Sequence, residues 1–167
     1  PAISRSDPDY YNLLVANYIF GGRGFGSWLM EEIRQKRGLS YSVYSYLSTY
    51  QNSGYLRISL QTKNESINLA KNIIREQIVK LSRFDVEDAK VDATKNAILR
   101  SFEMRADTNR KILNLISSIN YLNLDLNYFE NYKNNLKQVN KDSIKAALNR
   151  AMDFDNISVF TVGKSIE

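Results

Sequence analysis

The sequence contains no histidine and no cysteine. Without cysteine there is neither a disulfide nor a thiolate nucleophile, and the redox compartment stays open. Without histidine, a Ser–His or Cys–His nucleophile pair cannot form inside the chain. With both missing, an ordinary transition-metal site is disfavoured, because carboxylates alone suit magnesium or calcium rather than zinc. No apolar run approaches the roughly 20 residues of a membrane span. A basic-then-apolar leader is also missing at the N-terminus. The chain opens at Pro1-Ala2-Ile3-Ser4 with no initiator methionine, so it reads as a piece of a longer protein. It has no low-complexity linker, internal repeat or internal boundary. Residues 1–167 therefore read as a single domain, long enough to bury a real core.

What is present is an ordinary globular balance, 43% apolar and 25% charged, which argues against disorder. The net charge of +5 invites a nucleic-acid reading. Lys and Arg are instead spread along the whole chain among Asp and Glu, with no block of five like charges. That distribution favours a solvated surface over a nucleic-acid interface.

The pattern along the chain predicts an α+β fold. Asp7-Pro8 is a helix start, with Asp as N-cap and Pro at the first helical position. Leu14, Val15, Tyr18 and Ile19 make one apolar face, and Gly21-Gly22 ends it. Ser27 can cap a second helix running to Gly38. From Tyr41 the period becomes two, and two such runs flank the turn Gln51-Asn52-Ser53-Gly54, as in an antiparallel hairpin. Helices follow: one carrying Ile67, Ala70, Ile73, Ile74, Ile78 and Leu81, one over about residues 86–104 capped by Asp85, and one capped by Asp107 or Thr108. Short helices are expected near 128–136 and 143–151, and a final strand over 157–162. Helices would pack on one face of an antiparallel sheet. Three strands are few for such a sheet, so a further strand is expected upstream of Pro1.

The segment from Asn17 to Tyr41 differs from the rest. It gathers Asn17-Tyr18-Ile19-Phe20-Gly21-Gly22 with Phe25 and Ser27, then Leu29 through Arg34 to Gly38-Leu39-Ser40-Tyr41, behind the lead-in Ser4-Arg5-Ser6-Asp7-Pro8-Asp9-Tyr10-Tyr11. In this order and spacing the chain resembles the C-terminal, zinc-free domain of the pitrilysin/insulinase zinc peptidases, which include mitochondrial processing peptidase. The resemblance covers nearly the whole chain and suggests a bacterial member. It implies the mitochondrial processing peptidase-like metallohydrolase fold, of which this chain is part: two similar α+β domains closing around an unfolded peptide. Zinc would be held by a His-x-x-Glu-His motif in an upstream domain or a partner subunit; the motif is not in this chain. The resemblance further implies catalytic and substrate-binding roles for Arg34 and Tyr41, seven residues apart, as donors to the substrate carbonyl near the scissile bond.

The chemistry of those two residue types is compatible with that role. A guanidinium and a phenol are both donors at neutral pH, suited to an oxygen gaining negative charge. An Arg at a helix C-terminus is also commonly a solvated residue complementing the helix dipole, and Tyr opening a strand is commonly core edge. Arg37 has the wrong spacing to Tyr41 for the family pattern and reads as surface. Gly21 and Gly22 with Gly24 and Gly26 lack the lysine and preceding strand of a phosphate loop. The resemblance implies that they form a loop facing the substrate, with substrate-binding roles for Gly21 and Gly22; the plain alternative is a helix cap and tight turn. A non-catalytic scaffold subunit of the same fold is the competing reading, and the sequence leaves cytoplasm and periplasm equally open.

Overall fold

A computed structural model describes residues 2–125 and 127–163. Its sheet is an antiparallel hairpin of β1 (Val43–Thr49) and β2 (Gly54–Leu60), in register from Val43 opposite Leu60 to Thr49 opposite Gly54. Because side chains alternate across a strand, Val43 and Ser45 are buried while Tyr46, opposite Arg57, is exposed. The turn closes on itself through the Tyr50 N–H donating to the Ser53 carbonyl at 2.8 Å.

α1 (Tyr10–Asn17) lies against β1 and runs directly into a π-helical segment, Tyr18–Gly22. Together they bury Leu13, Val15, Ala16, Ile19 and Phe20. A second π-helical segment, Met30–Gln35, buries Met30 and Ile33 on the same core. α2 (Ile67–Arg83) inserts Ala70, Ile73, Ile78 and Leu81, one stripe at helical spacing. α3 (Asp88–Glu103) contributes Val91, Ile98 and Phe102. α4 (Asn109–Tyr121) buries only Ile119. α5 (Tyr128–Gln138) brings Tyr132 onto Phe102, with ring centroids 3.8 Å apart and planes 8° from parallel. α6 (Lys141–Ala151) buries Ile144, Ala147 and Leu148 behind an Asn140–Ser143 capping box. The architecture is α+β, as the alternation of periods predicts. No helix among the described residues is long and apolar enough to cross a membrane.

Several local expectations give way. Residues 157–162 form no strand: Ile157, Val159, Phe160 and Val162 are exposed, and this segment pairs with neither strand of the hairpin among the described residues. A strand needs an edge to pair with, and alternation alone does not supply one. A third extended segment does reach the hairpin from the start of the chain, through an isolated bridge between Ala2 and Gly54. Asp7 does not cap α1. Its carboxylate accepts the Asp9 N–H at 2.8 Å in a local turn, and the helix begins three residues later at Tyr10. The second helix does open after Ser27, whose carbonyl accepts the Glu31 N–H at 2.9 Å, while its hydroxyl donates back to the Gly24 carbonyl at 2.6 Å. α3 starts at Asp88, because Phe84 takes a left-handed φ of 41° and Val86 turns into the core. Asp85 instead faces Lys141 at 3.3 Å. Thr108 caps α4 as expected, accepting the Lys111 N–H at 3.3 Å.

Candidate functional site

Arg34 lies in the last turn of the π-helical segment Met30–Gln35. This stretch closes through wide bonds: the Lys36 N–H reaches the Glu31 carbonyl, five residues back, at 3.0 Å. The chain then reverses at Gly38, whose φ is 61°, with the Gly38 N–H bonded to the Arg34 carbonyl at 3.0 Å and the Leu39 N–H to the Ile33 carbonyl at 2.9 Å. Ser40 anchors the exit. Its hydroxyl bonds the carbonyls of Ser42 at 2.6 Å and Gln61 at 2.7 Å, tying the connection to the end of β2. Tyr41 therefore stands two residues before β1, in a bend and not on the strand itself.

The reversal brings Arg34 and Tyr41 together. The Arg34 guanidinium carbon lies 4.8 Å from the Tyr41 ring centroid, and 4.5 Å from the ring of Phe25. Both distances are within cation–π range. Tyr41 is 84% exposed and Phe25 is 61% exposed, so both rings rest on an open surface. The Arg34 side chain makes no hydrogen bond or ion pair among the described residues. The carboxylates nearby are committed elsewhere. Glu32 holds Lys36 at 2.6 Å and Arg37 at 2.5 Å, and Glu31 holds Lys36 at 3.0 Å. Those two cations keep the Glu32 carboxyl below its ordinary value, Lys36 being the stronger influence. Arg37 thus has a structural ion pair, whereas the donor edges of Arg34 are unspent.

The glycines occupy different places. Gly21 is buried at the contact between the first π-helical segment and β1. A Cβ there would come within 2.6 Å of the Ser45 hydroxyl and 2.8 Å of the Ser45 backbone nitrogen. The same junction is held by Ser45 donating to the Asn17 side-chain carbonyl at 2.6 Å. Gly22 is exposed, and a Cβ there would meet the Asn17 side-chain nitrogen at 2.6 Å. Phe25 had not stood out from the sequence as a partner of Arg34. Its signal was an aromatic residue set between two glycines, where no core position explains it.

No group of His, Cys, Asp and Glu that could hold a metal is present among the described residues, so the side chains here do not suit zinc. A cleft of about 560 Å³ lies elsewhere, between the N-terminal segment and α5. Its buried Arg5 sits 3.4 Å from the Tyr10 ring centroid and donates to the Tyr128 hydroxyl, fastening the start of the chain to the helical layer.

Residues 1–98 match the family described as the peptidase M16 inactive domain. This chain belongs to that family. The match takes in α1, both π-helical segments, the hairpin, α2 and most of α3. The M16 inactive domain is 39% identical to the non-peptidase homolog YmxG of Helicobacter pylori over 142 residues, 79% of this chain and 31% of that protein. It is 32% identical to the uncharacterized zinc protease YmxG of Bacillus subtilis over 103 residues, 61% of this chain and 25% of that protein. The chain thus spans about a quarter to a third of the curated relatives it matches. Among solved structures, a peptidase M16 inactive domain from Pseudomonas fluorescens superposes with a TM-score of 0.83 and 30% identity, covering 92% of this chain and 37% of that one.

Proposed function

We propose that this M16 inactive domain is the peptide-holding half of a zinc-protease-like protein, with Arg34 and Tyr41 donating hydrogen bonds to a backbone carbonyl of an extended peptide. The observation that carries the reading is the unspent guanidinium: Arg34 lies 4.8 Å from the Tyr41 ring and pairs with no carboxylate among the described residues, although two acidic residues lie within one turn of it. A peptide carbonyl is a neutral acceptor that gains negative charge during hydrolysis, and such donors favour it most at that stage. Because the side chains of this chain do not suit zinc, metal chemistry falls to the rest of the parent protein or to a partner subunit. The contribution of this chain is to bind and orient. Gly22, exposed at the start of the glycine-rich loop, would border the peptide path, and Gly21 would set the position of the loop that follows it.

The test is turnover of unfolded peptides by the parent protein, or by the reconstituted pair, carrying Arg34→Ala or Tyr41→Phe. Loss of one donor to the developing oxyanion is expected to lower kcat by about 10²–10³-fold. Unchanged turnover in both variants contradicts the assignment. A second reading is favoured by one finding, the naming of the Helicobacter pylori relative as a non-peptidase homolog. On that reading the parent is a scaffold or interaction subunit. It predicts no hydrolysis by the wild-type parent and no His-x-x-Glu-His motif there or in its partner.

A further inference from the structure

The loop between the two π-helical segments presents a single aromatic side chain to solvent. Gly24 and Gly26 flank Phe25 with φ values of 78° and 81°, a backbone path that side-chain-bearing residues rarely take. Gly24 is buried, and a Cβ there would press on the Tyr44 ring edge at 3.3 Å. The loop is therefore seated on the hairpin while the Phe25 ring stands out, 61% exposed yet 4.5 Å from the Arg34 guanidinium. Exposure on that scale excludes a core role for the ring.

We propose that Phe25 is a positioning residue for Arg34, acting together with the Tyr41 ring to hold the guanidinium plane so that its N–H edges stay directed toward a bound peptide. This rests on the peptide-holding reading of Arg34 given above. An unrestrained arginine has many rotamers, and fixing its planar fork in advance lowers the entropy lost when it grips an acceptor. The two aromatic contacts engage the guanidinium through its π-electron interactions and spend none of its hydrogen-bonding capacity, unlike a carboxylate partner. This explains why an exposed phenylalanine is placed where an acidic residue would make the stronger pair. It also gives the glycine-bracketed loop a purpose distinct from contacting substrate.

The experiment measures binding of a fluorescently labelled unfolded peptide to the parent protein with Phe25→Ala, Phe25→Leu, Phe25→Trp and Arg34→Ala, together with the melting temperature of each. Removing one exposed cation–π contact is expected to weaken peptide binding by about two- to fivefold in Phe25→Ala and Phe25→Leu, with no change in melting temperature. Phe25→Trp is expected to restore wild-type affinity, since it keeps a π face. If Arg34→Ala weakens binding while Phe25→Ala does not, the positioning role is overturned and the reading of Arg34 stands. If Phe25→Leu binds as well as wild type, bulk and not the π face is what matters, which also overturns it. If Arg34→Ala itself leaves binding intact, the peptide-holding reading fails and the positioning role fails with it.

Discussion

Glu31 and Glu32 lie within six residues of three cations, Arg34, Lys36 and Arg37, yet they engage only the last two. That selectivity is local geometry. Lys36 follows Glu32 by four residues, the helical spacing that brings side chains together, and Arg37 folds back to bond both the Glu32 carboxylate and its backbone carbonyl. Arg34 is directed instead to the surface carrying Phe25 and Tyr41. The Glu32 carboxyl is held below its ordinary value of 4.5, so its pairing contributes stability that is present above that pH and lost as pH falls through the lowered value. The stability difference between wild type and Glu32→Gln is therefore expected to be largest near neutrality and to shrink on acidification below the ordinary carboxylate range, as read from unfolding midpoints. A difference that grows on acidification would contradict the sign. The chemical character of Arg34 and Tyr41 was legible in the sequence, as was their spacing. The lack of a carboxylate partner was not, because three nearby cations and two nearby acids allow several pairings on paper.

At the scale of elements, the approach of the first π-helical segment to β1 sets the height of the glycine-rich loop above the hairpin. Gly21 permits that approach, and Asn17 and Ser45 fasten it. Alanine at position 21 would gain about 1 kcal/mol of helical propensity. The added methyl would also meet the Ser45 backbone nitrogen at 2.8 Å, which cannot move without shifting the strand. An overpacking cost of about 1–3 kcal/mol offsets that gain and leaves net destabilisation of up to about 2 kcal/mol for Gly21→Ala, measured by denaturant unfolding; a stabilised variant would show that the junction is loose. Periodicity located most of the helices and the hairpin, since α2, α5 and α6 carry apolar stripes at clear spacing. It did not distinguish π from α winding in residues 18–22 and 30–35. Both windings bury Ile19, Phe20, Met30 and Ile33, and the extra residue per turn leaves no compositional mark. The strand expected over 157–162 failed for another reason: pairing is a tertiary property that alternation does not encode, and those residues pair with neither strand of the hairpin.

For the whole molecule, the candidate site lies on an open face and not in a closed cavity, with Tyr41 and Phe25 both largely solvent-exposed. An exposed donor competes with water for each hydrogen bond it could give a peptide, so Arg34 and Tyr41 gain most if another part of the parent protein covers them. The chain covers about a third of the Helicobacter pylori relative, which leaves room for such a cover. A peptide-holding role requires that Arg34 meet the peptide. The most direct measurement is the ¹⁵N–¹H resonance of the Arg34 side chain in the parent protein, assigned by Arg34→Lys and followed while an unfolded peptide is added. Saturable displacement of that resonance, with the dissociation constant obtained independently for the same peptide, is the predicted result. A peptide that binds with the same constant while the Arg34 resonance stays fixed would contradict it.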